Sequence, residues 1–176
     1  METNDLWNII KRFDHYFYVT DSKATLSIAF NTFTLTAVAI KASEILKLFS
    51  NETIIFIIIC IIFLVCLLSL LSLFFTFKSI NPFLKSPKKT DEYQSHIYFN
   101  HIAEFNNEAS FYDSCNKLNN CNINKDLSYQ VFVLAKGLSK KYRNITISYG
   151  ILIYFTIPLL TISIILFGLD KLVLKD

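Results

Sequence analysis

The segment from Thr53 to Phe77 contains no charged residue, and this run constrains the fold more than any other feature of the sequence. As a helix rising about 1.5 Å per residue, it is longer than the roughly 30 Å hydrocarbon layer of a bilayer. In that layer each backbone N–H and C=O must find its partner within the protein, as an α-helix allows. The run therefore predicts a membrane-spanning helix over residues 53–77.

Two further segments are predicted to span the membrane. Residues 145–169 are equally uncharged, and Pro158 is expected to kink their helix. The stretch between Lys23 and Lys41 is also uncharged, and we predict a span over residues 24–46 with Lys41 reaching toward the interface. Only 18% of the residues are charged, against about 25% in soluble domains, as expected for a chain partly surrounded by lipid.

The distribution of Lys and Arg predicts how the spans are oriented. The loop 78–143 holds ten of the seventeen Lys and Arg residues, and segment 1–23 holds three more, whereas the loop between the first two spans has two. Basic loops stay on the cytoplasmic side of a membrane. The predicted fold is therefore an all-α membrane protein with three transmembrane helices, a helical cytoplasmic lobe over 78–143 between helices two and three, and the N-terminus inside.

The cytoplasmic segments have helical periodicity. Residues 1–23 are predicted to form an amphipathic helix with an N-cap at Asn4 or Asp5, and no breaker separates it from the first span. The apolar residues of 127–145 likewise mark one helical face that leads into the last span, and residues 93–118 show the same period. Two continuous helices are thus expected to run from the cytosol into the membrane.

Two connectors interrupt this helical pattern. In residues 81–89, Pro82 and Pro87 are expected to end the helix that leaves the membrane. Residues 117–125 contain several asparagines, which favour turns and caps over the interior of a helix. We therefore predict a loop over 117–125.

The usual signatures of catalysis are absent from the sequence, including a nucleophile elbow, a Walker loop, a dinucleotide-binding glycine pattern and a zinc-protease helix. The four cysteines, Cys60, Cys66, Cys115 and Cys121, have no metal-knuckle or redox spacing and are expected to be free thiols. A net charge of +3 is too small to indicate a nucleic-acid partner. We expect neither an enzyme nor a metal site nor a resident cofactor.

Polar, cationic and aromatic residues are concentrated on the predicted cytoplasmic helices close to the membrane. Cations bind phosphate and aromatic rings stack on bases, so a set of this kind suits a nucleotide. The residues also have an ordinary explanation, because basic residues beside a membrane commonly fix topology or contact anionic lipids, and Asp21 can pair with a neighbouring cation. The candidate nucleotide-binding or gating residues are Asp21, Lys23, Tyr98, His101, Gln130, Lys141, Tyr142 and Arg143.

A stripe of mainly polar residues lies along one face of the first predicted span. In lipid, such a stripe turns inward, where it either bonds a neighbouring helix or lines a water-filled path. Both alternatives remain open from the sequence, and helix bonding is the commoner. The stripe comprises Ser27, Asn31, Thr34, Val38 and Lys41, and a shorter one on the second span comprises Ser69, Ser72 and Thr76.

Three sequence patches are arranged around the apolar segments. They are D-x-K-A at 21–24, S-x-I-Y-F-x-x-I-A at 95–103, and D-L-x-x-Q-V at 126–131 followed by K-Y at 141–142. Together, in this order and placement, they resemble the membrane effectors of Pycsar antiphage systems. The resemblance extends from about Phe13 to the last span.

The resemblance implies a bacterial defence effector encoded beside a nucleotide cyclase. Phage infection would trigger synthesis of a cyclic pyrimidine mononucleotide, cCMP or cUMP, and the effector would respond by impairing the inner membrane, which it crosses several times. Its implied partners are the lipid bilayer and the messenger from the cognate cyclase. We also expect a homo-oligomer, because three helices per chain are too few to enclose an aqueous pore.

Two functions of other kinds also fit the residues. A non-gated membrane scaffold or interaction subunit predicts a stoichiometric partner protein and no nucleotide binding. A holin-like pore-forming toxin predicts constitutive leakage when the chain is expressed alone.

Overall fold

The structure is a computed structural model that describes residues 2–47, 49, 51–81 and 95–173. In these ranges all regular secondary structure is helical. The elements are α1 (Thr3–Lys47), α2 (Glu52–Ile80), α3 (Phe99–Ala103), α4 (Glu108–Asn116), α5 (Asn120–Ile151), a π-helical segment (Leu152–Thr156) and α6 (Ile157–Val173).

Three helical runs of the described chain are long and apolar enough to cross a membrane: α1, α2, and the continuous run from α5 through α6. This confirms the predicted all-α architecture with three membrane-capable helices. The predicted continuity of α1 is also confirmed, because one helix covers Thr3–Lys47. It begins slightly before the predicted cap, and the Asp5 carboxylate accepts a hydrogen bond from the Glu2 N–H at 3.0 Å.

The boundaries of α2 follow from capping and helix-dipole effects. Asn51 is the N-cap, and its side chain accepts a hydrogen bond from the Thr53 N–H at 2.9 Å. Glu52 lies in the first turn and Lys78 in the last, which complements the dipole at both ends. The prediction that Pro82 and Pro87 end this helix falls outside the described residues.

The last span departs from α-helical geometry just before Pro158. Proline has no N–H to donate, and its ring clashes with the carbonyl four residues earlier, here that of Tyr154. The backbone adopts the π form over Leu152–Thr156, directly before α6. The structure thus has a π-helical segment before Pro158, and the predicted kink at this residue stays a prediction.

The predicted loop over 117–125 is wrong beyond Asn119, because α5 already begins at Asn120. The side chain of Asn119 accepts a hydrogen bond from the Asn122 N–H at 2.9 Å, and its carbonyl accepts one from Ile123 at 3.2 Å. Asparagine here starts a helix as its N-cap, where it is strongly preferred, rather than forming an extended loop. Asparagine suits both a turn and an N-cap, so the number of asparagines does not show which of them begins the helix.

The helical period over 93–118 does not correspond to one helix. Within its described part, the short α3 and α4 are separated by residues 104–107. Asn107 begins α4 through a capping box, in which its side chain accepts from the Ser110 N–H at 2.8 Å and its own N–H bonds the Ser110 hydroxyl at 3.3 Å.

The chain divides into two compact units. We call Met1–Val19 with Pro82–Lys140 the polar unit, and Thr20–Asn81 with Lys141–Asp176 the apolar unit. Helices α1 and α5 each contribute residues to both.

The apolar unit has an inverted distribution of polarity. Its fully buried residues include Asn31 and several serines and threonines, whereas large apolar side chains are exposed, such as Phe33 at 74%, Phe63 at 68% and Ile164 at 72%. In water this arrangement would leave apolar surface exposed, so the hydrophobic effect would not stabilise it. In lipid, apolar side chains face the acyl chains and polar side chains bond between helices. The unit is therefore built as a membrane bundle.

The polar unit has a small core of its own. Leu6 and Leu127 are buried at 3% and 0% exposure, and the Thr3 hydroxyl donates to the side-chain oxygen of Asn124 at 2.6 Å. The rings of His96, Phe105 and Phe111 pack together with centroids 5.2–6.4 Å apart. These contacts hold the first turns of α1 and α5 together, and α4 to the segment before it.

Candidate functional site

The candidate residues fall into two groups, each within one unit. The polar unit contains Tyr98, His101 and Gln130. The apolar unit contains Asp21, Lys23, Lys141, Tyr142 and Arg143.

Ser95 lies at the centre of a buried hydrogen-bond cluster in the polar unit, which we call the Ser95 cluster (Ser95, His96, His101, Asp126 and Gln130). The Ser95 hydroxyl donates to Asp126 Oδ1 at 2.7 Å, and Asp126 Oδ2 accepts from the His96 N–H at 2.9 Å. Gln130 Nε2 donates to the Ser95 hydroxyl at 3.2 Å. Asp126 and Gln130 lie on one face of α5, because they are four residues apart.

The same serine shapes the chain that enters α3. Its hydroxyl accepts from the N–H groups of Ile97 at 3.2 Å and Tyr98 at 2.9 Å, and its own N–H donates to His101 Nδ1 at 3.0 Å. The His101 ring stands edge-on to the Tyr98 ring with centroids 5.5 Å apart. His101 and Gln130 are buried and Tyr98 is half-buried. His101 contacts the Tyr98 ring directly, whereas Gln130 bonds the Ser95 hydroxyl that also accepts from the Tyr98 N–H.

The central roles of Ser95 and Asp126 were missed in the choice of candidate site residues. Two signals were present in the sequence. A serine can accept hydrogen bonds from the N–H groups two and three residues after it, in a local turn, and an Asp and a Gln four residues apart share a helical face.

In the apolar unit, an ion pair joins α1 to α5. Lys141 Nζ lies 2.7 Å from Asp21 Oδ1, and the side chains are 10% and 50% exposed, respectively. The Lys141 carbonyl accepts a hydrogen bond from the Ser79 hydroxyl at 2.9 Å, which adds α2 to the contact. Asp21 thus pairs with a cation of another helix, and this lysine is buried.

Lys23 and Tyr142 also face each other between α1 and α5. The Lys23 ammonium lies 5.6 Å from the centroid of the Tyr142 ring, and the Tyr149 hydroxyl donates to the Lys23 carbonyl at 3.0 Å. Arg143 follows on α5 and is exposed. The structure therefore brings four of the five candidates in this unit into two neighbouring contacts.

A polar seam of Ser27, Asn31, Ser72, Thr76 and Ser148 runs between α1, α2 and α5. The Ser148 hydroxyl lies 3.0 Å from that of Ser27, 2.8 Å from that of Ser72 and 2.7 Å from that of Thr76. Asn31 Nδ2 donates to the Ser72 hydroxyl at 3.1 Å and to the Ser27 carbonyl at 2.8 Å. Within one chain, four residues of the predicted stripes, Ser27, Asn31, Ser72 and Thr76, therefore bond helices together, which is the first of the two alternatives. The Thr34 hydroxyl instead bonds the Phe30 carbonyl of its own helix.

Two features of the seam differ from the sequence prediction. Lys41 is exposed and pairs with Glu44 at 2.7 Å, so it does not belong to the buried face. Ser148, which was not in either predicted stripe, is the residue that reaches three others. Its signal was the spacing from Lys141 through Ile145 to Ser148 and Leu152, all buried, which follows one face of a helix.

The seam leaves hydrogen-bonding capacity unused. Among the described residues, Asn31 Oδ1 and the hydroxyl of Ser69 are buried without a hydrogen-bond partner. Buried polar atoms of this kind are uncommon and each needs an explanation. Here they mark the seam as a place that can accept additional polar groups.

Comparison with known proteins places this geometry in context. Residues 5–168, nearly the whole chain, match the family model PycTM, described as the Pycsar effector protein domain. No curated protein and no solved structure matches the chain.

Proposed function

The chain belongs to the Pycsar effector family, and from this premise we propose that it senses cCMP or cUMP and impairs the bacterial inner membrane as a homo-oligomer. Family membership makes it an effector of antiphage defence that receives a cyclic nucleotide signal from a cyclase. In our proposal the chain catalyses no reaction and needs no cofactor. Its output is the loss of membrane integrity.

The proposed topology puts the polar unit in the cytoplasm, where the messenger is made. It is supported by the ten Lys and Arg residues between positions 78 and 143, compared with two between the first two spans. The N-terminus and the long central segment then share the cytoplasmic side. The bilayer surrounds the exposed Phe, Leu and Ile side chains of the apolar unit.

The polar seam carries the membrane part of the proposal. In one chain its hydroxyls are paired across three helices, which suits a resting state closed to water. If the helices separate, the same groups become available to water, together with the unpartnered Asn31 Oδ1 and Ser69 hydroxyl. Several chains must then assemble, because three helices cannot surround a water-filled path alone.

The ion pair between Asp21 and Lys141 supports a gating role for this part of the apolar unit. It holds α1 to α5 beside the seam. Both helices are continuous with segments of the polar unit, so a change there reaches them through the backbone. Moving a population from 1:99 to 99:1 requires about 5.5 kcal/mol of preference for the active state. Several subunits that each bind one messenger would share that requirement.

In the polar unit we assign contact with the messenger to Tyr98. Its half-buried ring is held by His101 and by backbone bonding to Ser95. Base stacking on an aromatic side chain is worth about 1–3 kcal/mol. His101 and Gln130 act as positioning residues, whereas Lys23, Tyr142 and Arg143 belong with the gating region.

A leakage assay tests the proposal. Proteoliposomes filled with a self-quenching dye would receive cCMP, cUMP, cAMP or cGMP on both faces of the membrane. We expect a cyclic pyrimidine nucleotide to cause dye release, and we expect none with cAMP or cGMP. Replacing Tyr98 by Ala should raise the half-maximal nucleotide concentration at least tenfold, whereas Tyr98→Phe should keep the response.

Each other outcome has a defined meaning. Dye release in the absence of nucleotide would favour the holin-like toxin. Liposomes that stay intact whichever nucleotide is added, together with a protein that co-purifies in stoichiometric amount, would favour the scaffold. If none of the four nucleotides caused dye release, the gating proposal would be overturned.

The topology can be tested with a native residue. Cys121 is exposed in the polar unit, so a variant with Ser at the other three cysteines leaves one reporter thiol. A membrane-impermeant maleimide should label Cys121 in inverted vesicles and not in spheroplasts. Glu52→Cys in a cysteine-free chain should behave in the opposite way. Reversed labelling would place the polar unit outside and end the proposal.

A further inference from the structure

A groove follows the surface of the apolar unit between α1 and the run from α5 into the π-helical segment. Its first part, about 290 Å³, is lined by Lys23, Tyr142, Thr146 and Gly150 among others. A second part, about 420 Å³, is lined by apolar residues that include Leu26 and Ile157. Tyr149 and Ile153 line both parts, so the two are continuous.

The groove is cationic at one end and apolar along the rest. Asp21 is already paired with Lys141, and among the described residues no carboxylate lies within ion-pair distance of Lys23. The exposed Arg143 precedes Thr146 by three residues and Gly150 by seven, which puts it on the side of α5 that borders the groove. Within the described part of the apolar unit, no ion pair neutralises the positive charge of Lys23.

Gly150 keeps the groove open. A Cβ atom built at this position meets nothing within 4 Å, so the glycine borders free space rather than a packed neighbour. Because Gly150 lines the groove, we expect a larger side chain here to extend into it. Gly168, on α6, has the same open surroundings and lines neither part of the groove, which makes it a matched control.

We propose that this groove binds an anionic phospholipid. The headgroup phosphate lies against Lys23, with Arg143 at the rim, and one acyl chain follows Leu26, Ile153 and Ile157. A cation at the start of a predicted span with apolar walls beyond it matches a phospholipid in both charge and polarity. A free nucleotide matches only the first part, because the second is lined mainly by apolar side chains and lies within the span.

A lipid in this groove would contact α1 and α5 together, beside the pair of Asp21 and Lys141. It would therefore stabilise the packing of these two helices. This inference requires that the apolar unit be in a membrane and does not depend on which messenger is sensed.

Lipid titration of the purified full chain in a neutral detergent tests the inference. Phosphatidylglycerol should raise the melting temperature in a saturable manner, and phosphatidylcholine should not. Lys23→Gln should weaken the apparent affinity for phosphatidylglycerol at least tenfold, whereas Lys23→Arg should retain it. Gly150→Leu should abolish the shift, and Gly168→Leu should leave it unchanged.

Further arms separate the lipid from soluble anions. Inorganic phosphate and cCMP, each added alone, should not compete with phosphatidylglycerol, and competition by either would assign the groove to a soluble ligand. Equal binding of phosphatidylcholine, or full binding by Gly150→Leu, would overturn the inference. The melting temperatures without lipid show whether each variant folds, and leakage induced by a nucleotide would persist even if the groove bound no lipid.

Discussion

The Ser95 cluster and the polar seam are both centred on a buried serine, yet they are bonded in different ways. Ser95 bonds to the carboxylate of Asp126 and to backbone N–H groups, whereas the side chain of Ser148 meets the neutral hydroxyls of Ser27, Ser72 and Thr76. Hydrogen bonds to a charged group are about twice as strong as neutral ones. The cluster is therefore suited to fix a local conformation.

The seam is suited to exchange its partners. Hydrogen bonds between membrane helices contribute on average about 0.6 kcal/mol each, because separated helices find other polar partners. Hydroxyls of a second chain or of water can replace the three partners of Ser148 at little cost. The comparison thus distinguishes a rigid element of the polar unit from an adaptable one of the apolar unit.

Asp126→Ala should give the largest loss. It leaves the Ser95 hydroxyl and the His96 N–H buried without their charged acceptor, which we expect to cost about 3 kcal/mol. Limited proteolysis should show cleavage within residues 95–140 at lower temperature. Asp113→Ala, at an exposed position of α4, is the matched control. Equal protease resistance of the two variants would show that Asp126 stabilises the polar unit no more than the exposed carboxylate of Asp113 does.

Ser148→Ala should have a smaller effect. Loss of its three interhelical contacts is expected to cost about 2 kcal/mol. Unfolding in mixed micelles with increasing dodecyl sulfate measures this loss. Ser163→Ala is the control, because the Ser163 hydroxyl donates within its own helix, to the Leu159 carbonyl at 3.0 Å. A cost as large as that of Asp126→Ala would show that the seam is as rigid as the cluster.

Asp21→Asn tests a charged contact beside the neutral seam. Because Asp21 is half exposed, we expect a loss of only about 1 kcal/mol. If the ion pair holds the resting state, this shifts the half-maximal nucleotide concentration for leakage down about fivefold. Glu44→Gln removes another ion pair of 2.7 Å length, with Lys41, which is exposed on both sides, and should leave the response unchanged. An unchanged response of Asp21→Asn would contradict the gating role.

Asn31→Leu should change the stability least, by about 0.5 kcal/mol or less. The lost bonds to Ser27 and Ser72 are offset because a buried oxygen without a partner is also removed. Nucleotide-induced leakage should nevertheless fall severalfold, because the apolar Leu side chain cannot hydrogen-bond water in the open path as the Asn31 amide can. Thr34→Val is the control, because the Thr34 hydroxyl bonds the Phe30 carbonyl of its own helix. Full leakage by Asn31→Leu would exclude the seam from the water path.

The long helices that hydropathy and helical period predict are present in the structure. Hydropathy and length located three membrane-capable helices, and the missing breaker near residue 23 predicted the continuous α1. The polar stripes were predictable because residues three and four apart share a helical face. The loop over 117–125 was mispredicted because the same asparagines suit a turn and an N-cap, and only the packing of α5 distinguishes them.

The two groups of candidate residues were less predictable. Periodicity places Asp21 and Lys141 on their helices, but their pairing joins positions 120 residues apart. The burial of His101 and Gln130 depends on the turn around Ser95, which no helical period describes. In the structure His101 packs edge-on to the Tyr98 ring, and Gln130 bonds the Ser95 hydroxyl.

Hydrophobicity and helical period, which act over a few neighbouring residues, are sufficient to establish that this chain forms long apolar helices with polar faces. Its family is indicated separately, by the three sequence patches at 21–24, 95–103 and 126–142. The rotation and register of those helices against one another depend on contacts between distant segments. They alone brought Ser148 to three partners, buried Lys141 beside Asp21 and left an open groove at Gly150. A local pattern carries no information on those contacts, because each helix would have the same period at any rotation.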